Sequence, residues 1–274
     1  MTNRAIGVFD SGIGGLSVLQ ALRVKLPHEN FIYIADSGHS PYGERDETHV
    51  LARSRAIVNH LVGQNVKALV IACNTATAVA IHLLREEYPE LPLIGVEPAL
   101  KPAVALSKTG HIGVMATRST LGSAKFQALL NSMTARATFV VQACDGLADA
   151  IERSVETEDT SKIIALCTQY VGAMGLLGNN RGQIDSLVLG CTHYPFASEH
   201  LCTLLGQGVQ IVDNGEAVAR QTQRLVQTMP VEAHPALLAA PGSVSLFSTG
   251  QPQTLQAAAR RWLSLTVPVG QLSF

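Results

Sequence analysis

A chain of 274 residues, 47% of them hydrophobic and only 15% charged, with a formal net charge of −1, can bury a large core. It lacks the basic footprint that nucleic acid or an anionic membrane surface would require. No apolar run approaches the roughly 18 residues of a membrane span, and Met1-Thr2-Asn3-Arg4 runs straight into a strand rather than a secretory signal, so a cytoplasmic protein with a small-molecule partner is expected.

Residues 5–9 read as the first strand. Asp10-Ser11-Gly12-Ile13-Gly14-Gly15 follows as a glycine-rich turn into a helix with Leu16, Leu19, Leu22 and Leu26 on its apolar face. The turn matches a dinucleotide fingerprint only loosely, because the third glycine is missing from its place, and Asp10 would repel a phosphate. An amino group or a thiol proton suits that carboxylate better; the plain alternative is a helix cap. Residues 31–35 form a second strand, and Asp36-Ser37-Gly38-His39-Ser40-Pro41-Tyr42-Gly43 is a polar turn at its end, where recognition residues commonly sit. His39 by itself reads as a solvated loop residue. A helix over 46–64 leads to a strand ending at Cys73, and 75–88 is the next helix. A strand over 93–96 precedes Glu97-Pro98, read as a crossover into a second domain.

In that second domain strands over 111–115, 138–142 and 186–189 alternate with helices, as a parallel sheet requires. Cys144-Asp145-Gly146 leads into a helix with Leu147, Ala150 and Ile151 on one face. Glu152 on it reads alone as a surface acid, although it could point back towards a cleft. A helix to about residue 205 and a strand over 210–212 follow. Asp213-Asn214-Gly215 then returns the chain to the first domain, which ends with a strand over 244–248 and a helix through Trp262.

Two stretches stand out. Leu187-Val188-Leu189-Gly190-Cys191-Thr192-His193-Tyr194-Pro195 has a near copy in Leu69-Val70-Ile71-Ala72-Cys73-Asn74-Thr75. Ile6-Gly7-Val8-Phe9-Asp10-Ser11 is echoed by Ile112-Gly113-Val114-Met115-Ala116-Thr117, and Gln20-Ala21-Leu22 by Gln127-Ala128-Leu129. The offsets, 106, 107 and 118 residues, occur in one order and indicate an internal duplication. The expected fold is therefore α/β: two similar parallel-sheet domains related by a pseudo-twofold axis, one made of residues 1–98 plus 213–274 and the other of 99–212, with the active site in the cleft between them. Each repeat places a thiol at the carboxyl end of a strand, where open α/β sheets bind ligands, and a following helix would favour its thiolate.

Two matched thiols admit four readings. They can be buried structural cysteines, a metal site built from Cys73, Cys191 and His193, or a hydrolase with His193 as base to one nucleophilic thiol. The fourth reading, a racemase or isomerase in which each thiol serves one face of a stereocentre, uses both. The five cysteines, Cys73, Cys144, Cys167, Cys191 and Cys202, show no metal-type Cys-x-x-Cys spacing and are expected as reduced thiols.

The motifs Asp10-Ser11-Gly12-Ile13-Gly14-Gly15-Leu16, Pro41-Tyr42-Gly43, Ala72-Cys73-Asn74-Thr75-Ala76 and Leu189-Gly190-Cys191-Thr192-His193-Tyr194-Pro195 occur in this order across most of the chain. In them the chain resembles the glutamate racemases of the cofactor-independent aspartate/glutamate racemase superfamily. That resemblance implies interconversion of L- and D-glutamate, supplying D-glutamate for peptidoglycan, by a homodimer that needs neither pyridoxal phosphate nor metal. It implies Cys73 and Cys191 as acid/base thiols, acting on D- and L-glutamate respectively, with Asp10, His193 and Glu152 assisting. It carries substrate contacts to Asp10, Ser11, Tyr42, Gly43, Asn74, Thr75, Thr192 and His193. Ser37-Gly38-His39-Ser40 departs from the threonine- and arginine-bearing loop of many members. The long N-terminal extension of members activated by a peptidoglycan precursor is not seen here, so activity without that activator is expected. The rival readings are a racemase of aspartate or a hydantoin, and a small-ligand binding protein with this fold.

Overall fold

The computed structural model describes residues 4–228 and 241–274; the reading of Met1, Thr2 and Asn3 lies outside the described residues. The chain divides into two compact units, Met1–Val96 with Gly215–Phe274, and Glu97–Asn214. The first begins with β1 (Ile6–Asp10), α1 (Leu16–Lys25), β2 (Phe31–Ala35), α2 (Glu47–Gly63), β3 (Ala68–Ile71), α3 (Asn74–Glu87) and β4 (Leu93–Gly95). The second holds α4 (Leu100–Leu106), β5 (His111–Ala116), α5 (Arg118–Gly122), α6 (Ala124–Asn131), β6 (Thr138–Ala143), α7 (Leu147–Thr157), α8 (Ser161–Ala173), β7 (Ser186–Leu189), α9 (Ser198–Leu205) and β8 (Gln210–Val212). The chain then completes the first unit with α10 (Gly215–Gln227), β9 (Val244–Ser248), α11 (Pro252–Leu263) and β10 (Val269–Gln271).

Unit one is a six-stranded sheet in the order β10-β9-β2-β1-β3-β4, and unit two a four-stranded sheet in the order β6-β5-β7-β8. Every pairing in both sheets is parallel. The quartet β2-β1-β3-β4 repeats the order of β6-β5-β7-β8, so β1 matches β5 and β3 matches β7, as the duplicated segments require. β1, β3 and β7 are buried along their whole length, because helices cover both faces of a parallel sheet. That is why these strands read as unbroken apolar runs. β6, at the edge, is half-exposed.

Each unit has its own core. In unit one Phe9, Ile34, Ile57, Leu61, Leu69, Ile71 and Leu84 form one cluster, which also takes in Tyr42 and Cys73. In unit two Leu100, Ile112, Val114, Phe126 and Val188 do the same. Each large apolar side chain so buried contributes about 1.5–3 kcal/mol. The expected apolar face of α1 is buried at Leu16, Leu19, Leu22 and Leu26. Two local readings are refined. The turn after β2 is not a plain polar loop but two 3-10 turns, Ser37–His39 and Tyr42–Glu44, with Asp36 and Tyr42 inside the protein. The helix after Cys191 starts as a 3-10 turn, Tyr194–Ala197, and becomes α-helical only at Ser198.

Candidate active site

In unit one, Asp10 closes the central strand β1 and is fully buried, its Oδ1 accepting from the Gly12 amide at 2.8 Å and from Ser11 Oγ at 3.3 Å. It therefore folds the turn back on itself rather than capping α1, whose cap position, Gly15, makes no side-chain cap. Tyr33 donates its hydroxyl to the Gly12 carbonyl at 2.7 Å and pins the turn from the neighbouring strand. Gly15 is required by close approach: a Cβ there would stand 2.6 Å from Asp10 Cβ and 3.1 Å from Ala72 Cβ.

One strand over, β3 delivers Cys73 as the N-cap of α3, with its Sγ accepting from the Ala76 amide at 3.5 Å and lying 3.8 Å from Ser11 Oγ. A helix N-terminus carries partial positive charge, which favours a thiolate over a thiol. Asn74 and Thr75 occupy the first turn of α3 and are buried. Neither polar atom of the Asn74 side chain has a partner among the described residues, an arrangement that costs about 1–3 kcal/mol unless a ligand supplies one. Tyr42 is buried in the cluster that holds Cys73. Burial, the adjoining Asp36 carboxylate and Cys73 push its phenol upward, so it stays a neutral hydroxyl. Gly43 beside it is half-buried.

In unit two, the equivalent strand β7 delivers Gly190 and Cys191. A Cβ on Gly190 would meet Ala116 Cβ at 2.8 Å and the Met115 carbonyl at 3.1 Å, so only glycine lets this strand end pass β5. Cys191, Thr192 and His193 are all buried. The Cys191 Sγ lies 3.7 Å from His193 Nδ1, and His193 Nε2 lies 2.8 Å from Glu152 Oε1 on α7. Burial alone would pull the His193 pKa down. Hydrogen bonds to Cys191 and Glu152, and the charges of both, outweigh it and hold the imidazole well above the usual histidine value. The imidazole is thus held between the Cys191 sulfur on one side and the Glu152 carboxylate on the other. Glu152 is thus not the surface acid its position alone suggests; α7 turns it inward.

The structure groups the expected residues into two sets. Asp10, Ser11, Tyr42, Cys73, Asn74 and Thr75 gather at the carboxyl ends of β1 and β3, and Glu152, Cys191, Thr192 and His193 at the end of β7. Sequence reasoning missed what holds them. Asp36 lies just beyond the end of β2 much as Asp10 ends β1, and that similar placement was the available signal; its partner Arg53, 17 residues away on α2, carried none. Tyr194 and Tyr170 were also missed: their hydroxyls donate to the Cys144 and Asp145 carbonyls at 3.3 and 2.6 Å, fixing the turn into α7. Cys144 and Cys167 are pushed up by burial, Cys167 to about 11, and stay inert thiols. Among the described residues no three His, Cys, Asp or Glu side chains are grouped to hold a metal ion.

Two parallel α/β sheets of matching topology, each followed at its equivalent strand by a buried thiol that reaches a carboxylate through one intermediary, define a two-unit α/β protein with a matched thiol in each unit. The model of the Asp/Glu/Hydantoin racemase family matches residues 16–222. The chain belongs to that family. It is 44% identical to the glutamate racemase of Ectopseudomonas mendocina (strain ymp) over 254 residues, 92% of each protein. A solved glutamate racemase isoform from Bacillus anthracis superposes with a TM-score of 0.85 at 31% identity, covering 100% of this chain and 99% of that one. The Escherichia coli glutamate racemase, solved with L-glutamate and an activator, superposes with a TM-score of 0.82 at 29% identity over 98% of both chains.

Proposed function

We propose that this chain interconverts L- and D-glutamate by removing the α-proton on one face and returning a proton on the other, Cys73 abstracting from D-glutamate and Cys191 from L-glutamate. The observation that carries the reading is the matched pair of supports: Asp10 and Ser11 behind Cys73, Glu152 and His193 behind Cys191. In the L to D direction the Cys191 thiolate takes the α-proton and becomes a thiol. The electron pair left on the α-carbon delocalises into the substrate carboxylate. The Cys73 thiol then donates its proton to the opposite face and becomes a thiolate, so the two sulfurs end the turnover with their protonation states exchanged. The reverse reaction swaps the roles.

General acid/base catalysis contributes typically ~10² to 10⁴. The rest of the barrier falls to a water-poor, preorganised site around the developing carbanion. Substrate contacts are assigned to Asp10, Ser11, Tyr42, Gly43, Asn74, Thr75, Thr192 and His193; the unpartnered amide of Asn74 supports a polar ligand on its side. By the resemblance set out above, we further propose a homodimeric, cytoplasmic enzyme that supplies D-glutamate for peptidoglycan and works without pyridoxal phosphate or metal.

The test is α-proton exchange with solvent deuterium, run on D-glutamate and on D-aspartate with the parent chain and with each cysteine replaced by serine. The exchange that accompanies full racemisation of glutamate is expected to vanish in either variant. Comparable turnover of aspartate would move the chain to another substrate within a family whose description also covers aspartate and hydantoin. Absence of exchange on both would leave a ligand-binding protein.

A further inference from the structure

We infer that Asp36 and Arg53 are positioning residues which, with Phe274 seated on Arg53, hold the Tyr42-Gly43 segment against the Cys73 thiol. The inference rests on the proposed racemase activity for what that segment touches, but not for what holds it.

Asp36 is a carboxylate with no solvent exposure. A buried charge is tolerated only when donors surround it. Its Oδ1 accepts from Arg53 Nη2 at 2.9 Å and Thr249 Oγ1 at 2.7 Å, with His39 Nδ1 at 3.2 Å; its Oδ2 accepts from the Tyr42 hydroxyl at 2.5 Å and Arg53 Nε at 2.9 Å. Burial alone would raise its pKa, but the Arg53, Thr249 and Tyr42 hydrogen bonds and the Arg53 charge prevail and hold it below the usual aspartate value. The donors come from three places remote in sequence: the turn after β2, helix α2, and the turn after β9. One carboxylate therefore ties together segments that no local interaction connects.

Tyr42 connects this arrangement to the cluster that holds Cys73. Its ring lies in the cluster that includes Cys73 and Ala76, while its hydroxyl is anchored on Asp36. The turn is also clamped at Gly38, where a Cβ would stand 2.9 Å from the Thr249 carbonyl. Behind the carboxylate, Arg53 makes the paired Nε and Nη2 contact that only a guanidinium can make. Its third nitrogen, Nη1, donates to the Phe274 carbonyl at 3.4 Å, and the guanidinium lies 5.7 Å from the Phe274 ring centroid. That ring also meets His60, on the same helix, edge-on at 5.2 Å. Phe274 thus meets Arg53 through both its carbonyl and its ring, and at 43% exposure it can be removed without opening the core.

The test uses Arg53→Lys, which keeps the charge and loses the fork, and Phe274→Ala. Two readouts are taken: steady-state KM and kcat on glutamate, and the iodoacetamide alkylation rate of each cysteine followed by peptide mass. Loosening the segment should raise KM on the order of tenfold in Arg53→Lys and a few-fold in Phe274→Ala with kcat nearly unchanged, because binding contacts rather than the proton transfers are lost. Cys73 should be alkylated several-fold faster in both variants, while Cys202, exposed and on α9 of the other unit, keeps its parent rate. Melting temperatures that fall while Cys73 alkylation and KM stay within about twofold of the parent would show a purely structural role and overturn the inference. Should Arg53→Lys fail to fold, Phe274→Ala decides alone. Failure of the parent to turn over glutamate would remove the proposed activity, and the Cys73 alkylation rates would still decide the positioning.

Discussion

A thiol is an awkward base at neutral pH, since with an ordinary pKa of about 8.5 only a few per cent of it is thiolate. The two thiols meet this differently. Cys73 has the Ala76 amide aimed at its sulfur and the N-terminus of α3 behind it, an effect of roughly 0.3–1 kcal/mol. Cys191 has a histidine that Glu152 helps hold as a cation. If each sulfur serves one enantiomer, a one-way probe separates them. On a glutamate analogue with a good β-leaving group, where only the first abstraction matters, Cys73→Ser should fail on the D form and keep the L form, and Cys191→Ser the reverse. Equal loss on both forms would mean that the thiols act only as one coupled unit. His193 adds a pH signature. A group whose pKa is raised on folding stabilises the fold fully below its unfolded value, about 6.5 for histidine. That contribution is lost as pH rises through the folded value, which here lies well higher. The melting-temperature gap between the parent and Glu152→Gln should therefore be wide near pH 6 and narrow in alkali; a gap that widens in alkali contradicts the imidazolium.

At the scale of the element, each functional side chain sits where a buried parallel strand ends, and small residues let those ends lie close. Gly15 shows the constraint most directly, because a methyl there would fall inside the contact distance of both Asp10 and Ala72. Gly15→Ala should destabilise the fold by about 1–3 kcal/mol, the usual penalty for overpacking. It should lower kcat as well, since relief of the clash displaces the turn that carries Asp10 and Ser11. Urea unfolding together with steady-state kinetics checks both effects, and a fully active Gly15→Ala variant would show that the turn tolerates displacement.

Across the whole molecule, the repeated strand order gives both units the same way of presenting a cysteine after the third strand of a matched quartet. On the mechanism proposed above, two such units supply the two acid/base groups that inversion at a carbon by two bases demands. The proposed proton transfers call for no inorganic group. Exhaustive dialysis against a chelator should leave racemisation at its parent rate; loss of activity that zinc restores would reinstate a metal-assisted reaction.

The sequence by itself determined the strands, the duplication and both thiols, because an apolar run buried between helices and a motif repeated at nearly constant offset are local properties of the chain. It named Glu152 only through family resemblance, since an acid on an amphipathic helix reads as a surface residue until its neighbours are known. Asp36 was legible as an acid just beyond a strand end but not as the centre of a cage of five polar contacts. What tertiary structure alone decided were the pairings across long separations: Glu152 with His193, 41 residues apart, and Asp36 with Thr249, 213 apart. Sheet order brings those segments side by side, and sheet order is set by the burial of whole faces rather than by any residue in the pair. A charge forced into dry space must then find donors or a counter-charge, because leaving it alone there costs more than the contact itself returns.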